Sequence, residues 1–251
     1  MSVWSALAIF GAGLAAGAIN TIVGSGSLIT FPTLLGLGYT AVVANVSNTV
    51  GLVPGSLSGA IGYRRELEGQ RSRLGALAVP AAAGGLTGAI LLLVLPSSVF
   101  RNVVPILILV ACGLVVVQPS LSRRLAERSR PAVAHGGPAL FVCVYATAVY
   151  GGYFGAAQGV ILIALLAIFL DDDLQRLNAA KNVLTMLVNG VAALVFIVAA
   201  HVAWGAAGIL AAGAVIGGQV GAKIGRRLPP LVLRAAIVLV GVGVAINLLV
   251  R

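Results

Sequence analysis

The segment "GGLTGA" at 84–89 returns as "GGQVGA" at 217–222, and this offset of 133 positions decides how the chain is read. In that register, without a gap, Pro96 falls on Pro229, Arg101 on Arg234, Gly26 on Gly159 and Asn45 on Asn178. Glycine coincidences come easily in a chain with 33 glycines, but proline, arginine and asparagine matches in one register do not. The chain is therefore read as an internal repeat.

The loops give the relation between the halves. "RRELEGQRSR" (64–73) and "SRRLAERSRP" (122–131) are rich in arginine and expected on the cytoplasmic side, whereas "AHVAW" (200–204), the counterpart of the first, is uncharged. The short "PSS" turn at 96–98 likewise corresponds to the Arg-bearing "RRLPP" at 226–230. Equivalent loops of opposite charge character imply halves inverted in a membrane, an arrangement found in many secondary transporters.

Composition demands the membrane. Of 251 residues 60% are hydrophobic and 9% charged, and no Asp, Glu, Lys or Arg occurs before Arg64. Long continuous apolar runs suit spanning helices, not the short alternating segments of a β-barrel. The start "MSVWSALAIFGAG" lacks the basic opening of a secretory signal and is expected to belong to the mature protein. Despite the net charge of +10, the arginines cluster in short loops between apolar runs, so they read as topology signals and not as a nucleic-acid surface.

An inverted pair of halves needs an odd number of crossings in each. Three ordinary spans are expected per half, at 41–63, 74–95 and 99–118, then at 178–200, 205–225 and 230–250. The segments 4–38 and 138–170 must then contribute an even number, although each is too long for one span of about 20 residues and short for two. Each is read as a pair of short helices or a re-entrant hairpin, broken at "NTIVGSGS" (20–27) and "YGGYFGAAQG" (150–159). The fold expected is thus an all-α polytopic membrane protein: a first repeat at 1–118, a basic cytoplasmic linker at 119–137 and a second repeat at 138–251.

The breaks and the stripes beside them carry the candidate chemistry. Non-helical backbone at membrane depth is tolerated where protein buries it or it lines a cavity, and a helix start there favours an anion. Gly24 and Gly26, with Gly155 and Gly159, would let backbone donors approach such a ligand, although small residues also serve close helix packing. In "LNAAKNVLTMLVNG" (177–190), Asn178, Lys181, Asn182, Thr185 and Asn189 fall within an arc of roughly 100° on a helix. The same register in the first half gives Asn45, Asn48, Thr49, Leu52 and Ser56.

A lysine in a span is costly unless it meets water or a partner. Lys181 could snorkel toward "DDDLQR", but amides share its face, and one cation among neutral donors suits a small anion. The candidate ligands are therefore Asn45, Asn48, Asn178, Lys181 and Asn182 with the four glycines, followed by Thr49, Asn20, Gln158 and Asn189.

All six acidic residues lie in expected loops, leaving no carboxylate for a membrane relay or a cation ligand. Cys112 and Cys143 read as packing residues, and His135 and His201 form no metal cluster. Trp4, Trp204 and several tyrosines read as interface anchors. No nucleophile and base constellation, P-loop or CxxC motif is present, so neither an enzyme nor a cofactor is expected.

The segments "GAINTIVGSGSLITFPTLLGLG" (17–38) with Asn45 and Asn48, and "YGGYFGAAQGVILIALL" (150–166) with "LNAAKNVLTMLVNGVAALVF" (177–196) and Trp204, resemble the sulfite exporter TauE/SafE family. The resemblance covers nearly the whole chain. It implies a permease of the plasma membrane moving sulfite, sulfoacetate or other organosulfonates, usually outward. The chain departs from the family pattern at Ser25 and Ser27 in the first glycine motif, and at Ala157 and Gln158 in the second. The partners expected are a small sulfur-containing anion and the lipid bilayer, with no nucleic acid and a homo-oligomer left open. An anion channel and a membrane scaffold, in which the stripes only join helices, are the competing classes.

Overall fold

The computed structural model describes residues 1–126 and 137–224, with the single positions 242 and 246. Nine helices occupy the described residues: α1 (Val3–Ile22), α2 (Ser27–Gly36), α3 (Ala41–Gly62), α4 (Arg71–Val94), α5 (Ser97–Ala126), α6 (Gly137–Tyr153), α7 (Gln158–Phe169), α8 (Leu174–Ala199) and α9 (Trp204–Ile224). No strand occurs among them. The chain is an all-helical membrane protein. Most of the expected linker, His135, the 226–230 turn and the last span at 230–250 lie outside the described residues.

Five of these helices, α1, α4, α5, α8 and α9, are long and apolar enough to cross a bilayer. The 22-residue α3 is long enough, but Asn45, Ser47, Asn48, Thr49, Ser56 and Ser58 keep it out of the apolar class. All six of those side chains are buried, so lipid never meets them. The two long segments break as the glycines suggest, at Val23–Gly26 and at Phe154–Ala157. With 10 and 12 residues, α2 and α7 reach about 15–18 Å at 1.5 Å per residue, roughly half a hydrocarbon core. Three boundaries differ from expectation: α4 already begins at Arg71, inside the expected loop at 64–73. Helix α5 runs on to Ala126, and α8 starts at Leu174, where the Asp173 carboxylate accepts from the N–H groups of Gln175 and Arg176.

Small residues bring the long helices into backbone contact. Gly13 and Gly17 of α1 face the backbone of Leu210 and Ala214, while Gly213, Gly217 and Gly221 of α9 face Phe10, Leu14 and Ala18. Partner numbers rise together, so α1 and α9 run parallel. A second pair repeats the device, with Gly84 and Gly88 of α4 against Tyr145 and Val149 of α6. Gly85 meets Val188 and Gly218 meets Gly55, two contacts related by the offset, since Gly218 lies 133 positions after Gly85 and Val188 lies 133 after Gly55. Thus α1 packs on α9 and α6 on α4, each across the sequence midpoint.

Helix α8 lies antiparallel to α3. Ser47, near the start of α3, accepts the N–H of Ala203 beyond the end of α8 at 2.9 Å, and Tyr63 past the end of α3 packs on Ala179 near the start of α8. At the centre the two breaks touch: the Gly159 N–H donates to the Gly24 carbonyl at 3.1 Å. A Cβ on Gly24 would stand 2.5 Å from the Gly159 Cα. Gly24 has φ +88° and Ala157, its counterpart by the offset, has φ +57°, so both breaks turn through the left-handed region at the same step.

Candidate functional site

The polar stripe of α8 meets the end of α1. The last four carbonyls of a helix lack intrahelical donors and carry the negative end of its dipole. Here the Thr21 carbonyl accepts from Asn178 Nδ2 at 3.2 Å, Lys181 Nζ at 3.3 Å and Asn182 Nδ2 at 3.3 Å. Lys181 Nζ also donates to the Asn20 carbonyl at 3.0 Å. An ammonium has three donors, and these carbonyls take two of them.

Lys181 is fully buried, with 0% exposure. Because α8 begins at Leu174, the residue sits about two turns inside the helix, and its head turns to α1 instead of reaching Asp171–Asp173. Snorkelling does not describe it. Its described partners are neutral carbonyls, whereas the ion pairs among the described residues belong to Asp172.

The first half answers with a related but uncharged arrangement. Asn45 Nδ2 donates to the Tyr153 carbonyl at the end of α6 at 3.0 Å, as Asn178 donates to the end of α1. Asn48, the counterpart of Lys181, stays in its own half: its Nδ2 donates to Ser27 Oγ at 3.1 Å, and its Oδ1 accepts from the Thr30 hydroxyl. Thr49 bonds back to the Asn45 carbonyl of its own helix. Asn20 Oδ1 accepts the Gly26 N–H at 3.3 Å.

The four glycines sit at the crossing, with their N–H groups engaged within the protein. Gly24 donates to the Ile19 carbonyl, Gly26 to Asn20, Gly155 to the Tyr150 carbonyl and Gly159 to Gly24. A Cβ on Gly159 would stand 3.2 Å from Lys181 Cδ, and one on Gly155 would stand 4.0 Å from Asn189 Oδ1. The α8 stripe therefore follows the crossing from one break to the other. Gln158 folds its amide against Gly151, with neither amide atom hydrogen-bonded. Asn45 Oδ1, Asn178 Oδ1, Ser25 Oγ, Ser56 Oγ and Thr185 Oγ1 are likewise buried without a partner.

Sequence reasoning named Ser25 and Ser27 only as departures from the family pattern, although each directly follows a glycine of the first break, and it passed over Thr30. It also took several tyrosines for interface anchors. Tyr63 is buried and the Tyr150 hydroxyl donates to the Ala156 carbonyl inside the second break, so the anchor role fails for both. Trp4, 81% exposed, and Trp204 stand at the starts of the parallel helices α1 and α9, where anchors belong.

Two clusters flank the crossing. Phe31, Phe100, Tyr153 and Phe154 meet edge-on with centroids 5.3–6.5 Å apart, tying α2 to α5 and the second break. On the face where α3 ends and α8 begins, Asp172 accepts from Arg73 at 2.6 Å and from Arg176 at 2.8 Å. Buried Gln70 completes that cluster by donating to the Arg176 and Glu66 carbonyls at 3.0 and 2.8 Å. Burial pushes the Asp172 carboxyl up, but hydrogen bonds from Arg73, the Asp173 N–H and Arg176 outweigh it and hold it below the usual carboxylate range.

Residues 9–248 match the model of the family described as "Sulfite exporter TauE/SafE". The chain is 26% identical over 245 residues to "Probable membrane transporter protein YfcA" of Escherichia coli (strain K12), covering 96% of this chain and 88% of that one. It is 24% identical to a "Probable membrane transporter protein" of Haemophilus influenzae, over 86% of this chain and 83% of the relative. Against "Probable membrane transporter protein ORF9" of a Sinorhizobium species it is 24% identical, over 96% and 91%. No solved structure matches the chain. Apolar helices, a polar crossing buried among them and a family match over nearly the full length lead to one conclusion: the chain is a multi-pass membrane transporter of the bacterial inner-membrane type and belongs to the sulfite exporter TauE/SafE family.

Proposed function

We propose that this transporter exports small sulfur-containing anions, such as sulfite or organosulfonates, by alternating access between two inverted halves. The observation that carries the reading is Lys181: a fully buried cation whose described partners are neutral carbonyls, at the crossing of two broken helices. A buried charge without a counter-charge is strongly unfavourable, and an arriving anion would supply one. Asn178, Asn182 and Asn45 would position it, with the third ammonium donor turned to the ligand. Support for inversion comes from the antiparallel run of α3 and α8 and from the matched pairs α1 with α9 and α6 with α4. The aromatic cluster on one side and the Asp172 cluster on the other would serve as the two gates.

A second reading has an observation of its own. Three donors converging on the Thr21 carbonyl are also what a purely structural join between α8 and α1 would use. Thermal stabilisation separates the two, since a ligand that binds only the folded form raises the melting temperature by mass action. The purified protein and its Lys181→Ala variant are compared in sulfite, sulfate, sulfoacetate, chloride and a neutral control. The transport reading expects a sulfur oxyanion to stabilise the wild type and not the variant, and flux from liposomes to follow the same order. Equal responses, or none, leave the structural join.

A further inference from the structure

The unpartnered atoms at the crossing have an uneven chemistry. Asn45 and Asn178 each donate an amide N–H to a backbone carbonyl, and a carbonyl only accepts, so the orientation of both amides is fixed. The atom each leaves unpaired is therefore the oxygen, Asn45 Oδ1 and Asn178 Oδ1. Gln158 leaves both an oxygen and an amide nitrogen unpaired, and Ser25 and Thr185 leave hydroxyls that can serve either way. Asn45, Ser25 and Gln158 are each at least nine-tenths buried, as are Asn178 and Thr185.

These groups lie on the segments that meet at the crossing or are tied to them. Ser25 lies inside the first break, and Gln158 adjoins Gly159 at the start of α7. Asn45 is tied to Tyr153 just before the second break, Asn178 to Thr21 just before the first, and Thr185 lies one turn beyond Lys181. A fully deprotonated anion satisfies Lys181, the Gln158 nitrogen and the hydroxyls. It can donate nothing to the three carbonyl-type oxygens and repels them.

We infer that the crossing selects a singly charged oxyanion that carries its own O–H or N–H donor, and discriminates against anions that only accept. The inference rests on the anion reading of this site and adds to it what the rest of the ligand must look like. One cation matches one negative charge, and the oxygens of Asn45, Asn178 and Gln158 take the donor. Leaving such buried oxygens unpaired costs enough to separate ligands by about tenfold or more.

The test uses the purified full chain with 2-hydroxyethanesulfonate and 1-propanesulfonate, which have the same number of heavy atoms and a single permanent negative charge. Sulfite is the positive control. The expected result is that the hydroxylated sulfonate binds the wild type at least about tenfold more tightly in calorimetry, and that Gln158→Met narrows the ratio. Equal binding, or preference for propanesulfonate, overturns the inference and leaves the anion reading standing. Binding of sulfite with neither sulfonate also overturns it. Binding of none of the three removes the anion reading itself. The wild-type comparison decides even if the Gln158→Met protein fails to fold.

Discussion

At the scale of the residue, Lys181 separates what a side chain contributes to stability from what it contributes to binding. Its ammonium is out of water and held by neutral oxygens, so replacement by an apolar chain of similar volume removes a desolvation cost while preserving the packing. Lys181→Met is expected to melt within the equivalent of about 1 kcal/mol of the wild type, whereas Lys181→Ala leaves a cavity and loses about 2–5 kcal/mol. Both should lose the response to sulfur oxyanions; denaturation curves with and without sulfite check the pair. A Met variant that unfolds would show that the Asn20 carbonyl cannot go unpaired. The stripe itself was legible because helical spacing alone gathers Asn178, Lys181, Asn182, Thr185 and Asn189 on one face. Its partner was not, because Asn20 and Thr21 contribute backbone carbonyls, and any residue type would present the same oxygen.

At the scale of the element, the two breaks are equivalent in shape and unequal in sequence. Gly24 and Ala157 occupy the same left-handed step, relaxed for glycine and strained for alanine. Gly24→Ala adds that strain to a Cβ 2.5 Å from the Gly159 Cα, and is expected to cost about 1–3 kcal/mol or more in chemical denaturation. Ala157→Gly relieves the strain and should leave stability unchanged or raised by up to about 1 kcal/mol. The position of each break could be read from its glycines, but their meeting could not, since no local pattern records which backbone a glycine approaches. The loop cluster at Asp172 gives a pH test with a definite sign. Its carboxyl is held below the ordinary value of about 3.9, so its contribution is complete above that value and is lost as pH falls through the depressed one. Asp172→Asn should therefore lower the melting temperature by a few degrees at neutral pH and flatten the stability loss in strong acid, as read from melting curves over a pH series.

At the scale of the whole molecule, the long apolar runs and the loop charges sufficed for an all-helical membrane fold, because burial in lipid constrains composition over some 20 residues at a time. They could not show that helices exchange partners across the midpoint, since Gly13, Gly17, Gly213 and Gly217 advertise a close neighbour without naming it. That exchange predicts that residues 1–118 and 138–251, expressed as separate chains, recover a compact fold only when made together; size-exclusion chromatography of each alone and of both would check it. It also has a meaning in time. Gly13 of α1 leaves the ribosome about 200 residues before Leu210, the residue it packs on. At synthesis rates of about 5–20 residues per second, α1 spends roughly 10–40 s in the bilayer with its glycine groove open to lipid or to whatever insertion machinery shields it. The order of translation thus makes the first helix inserted among the last to be seated.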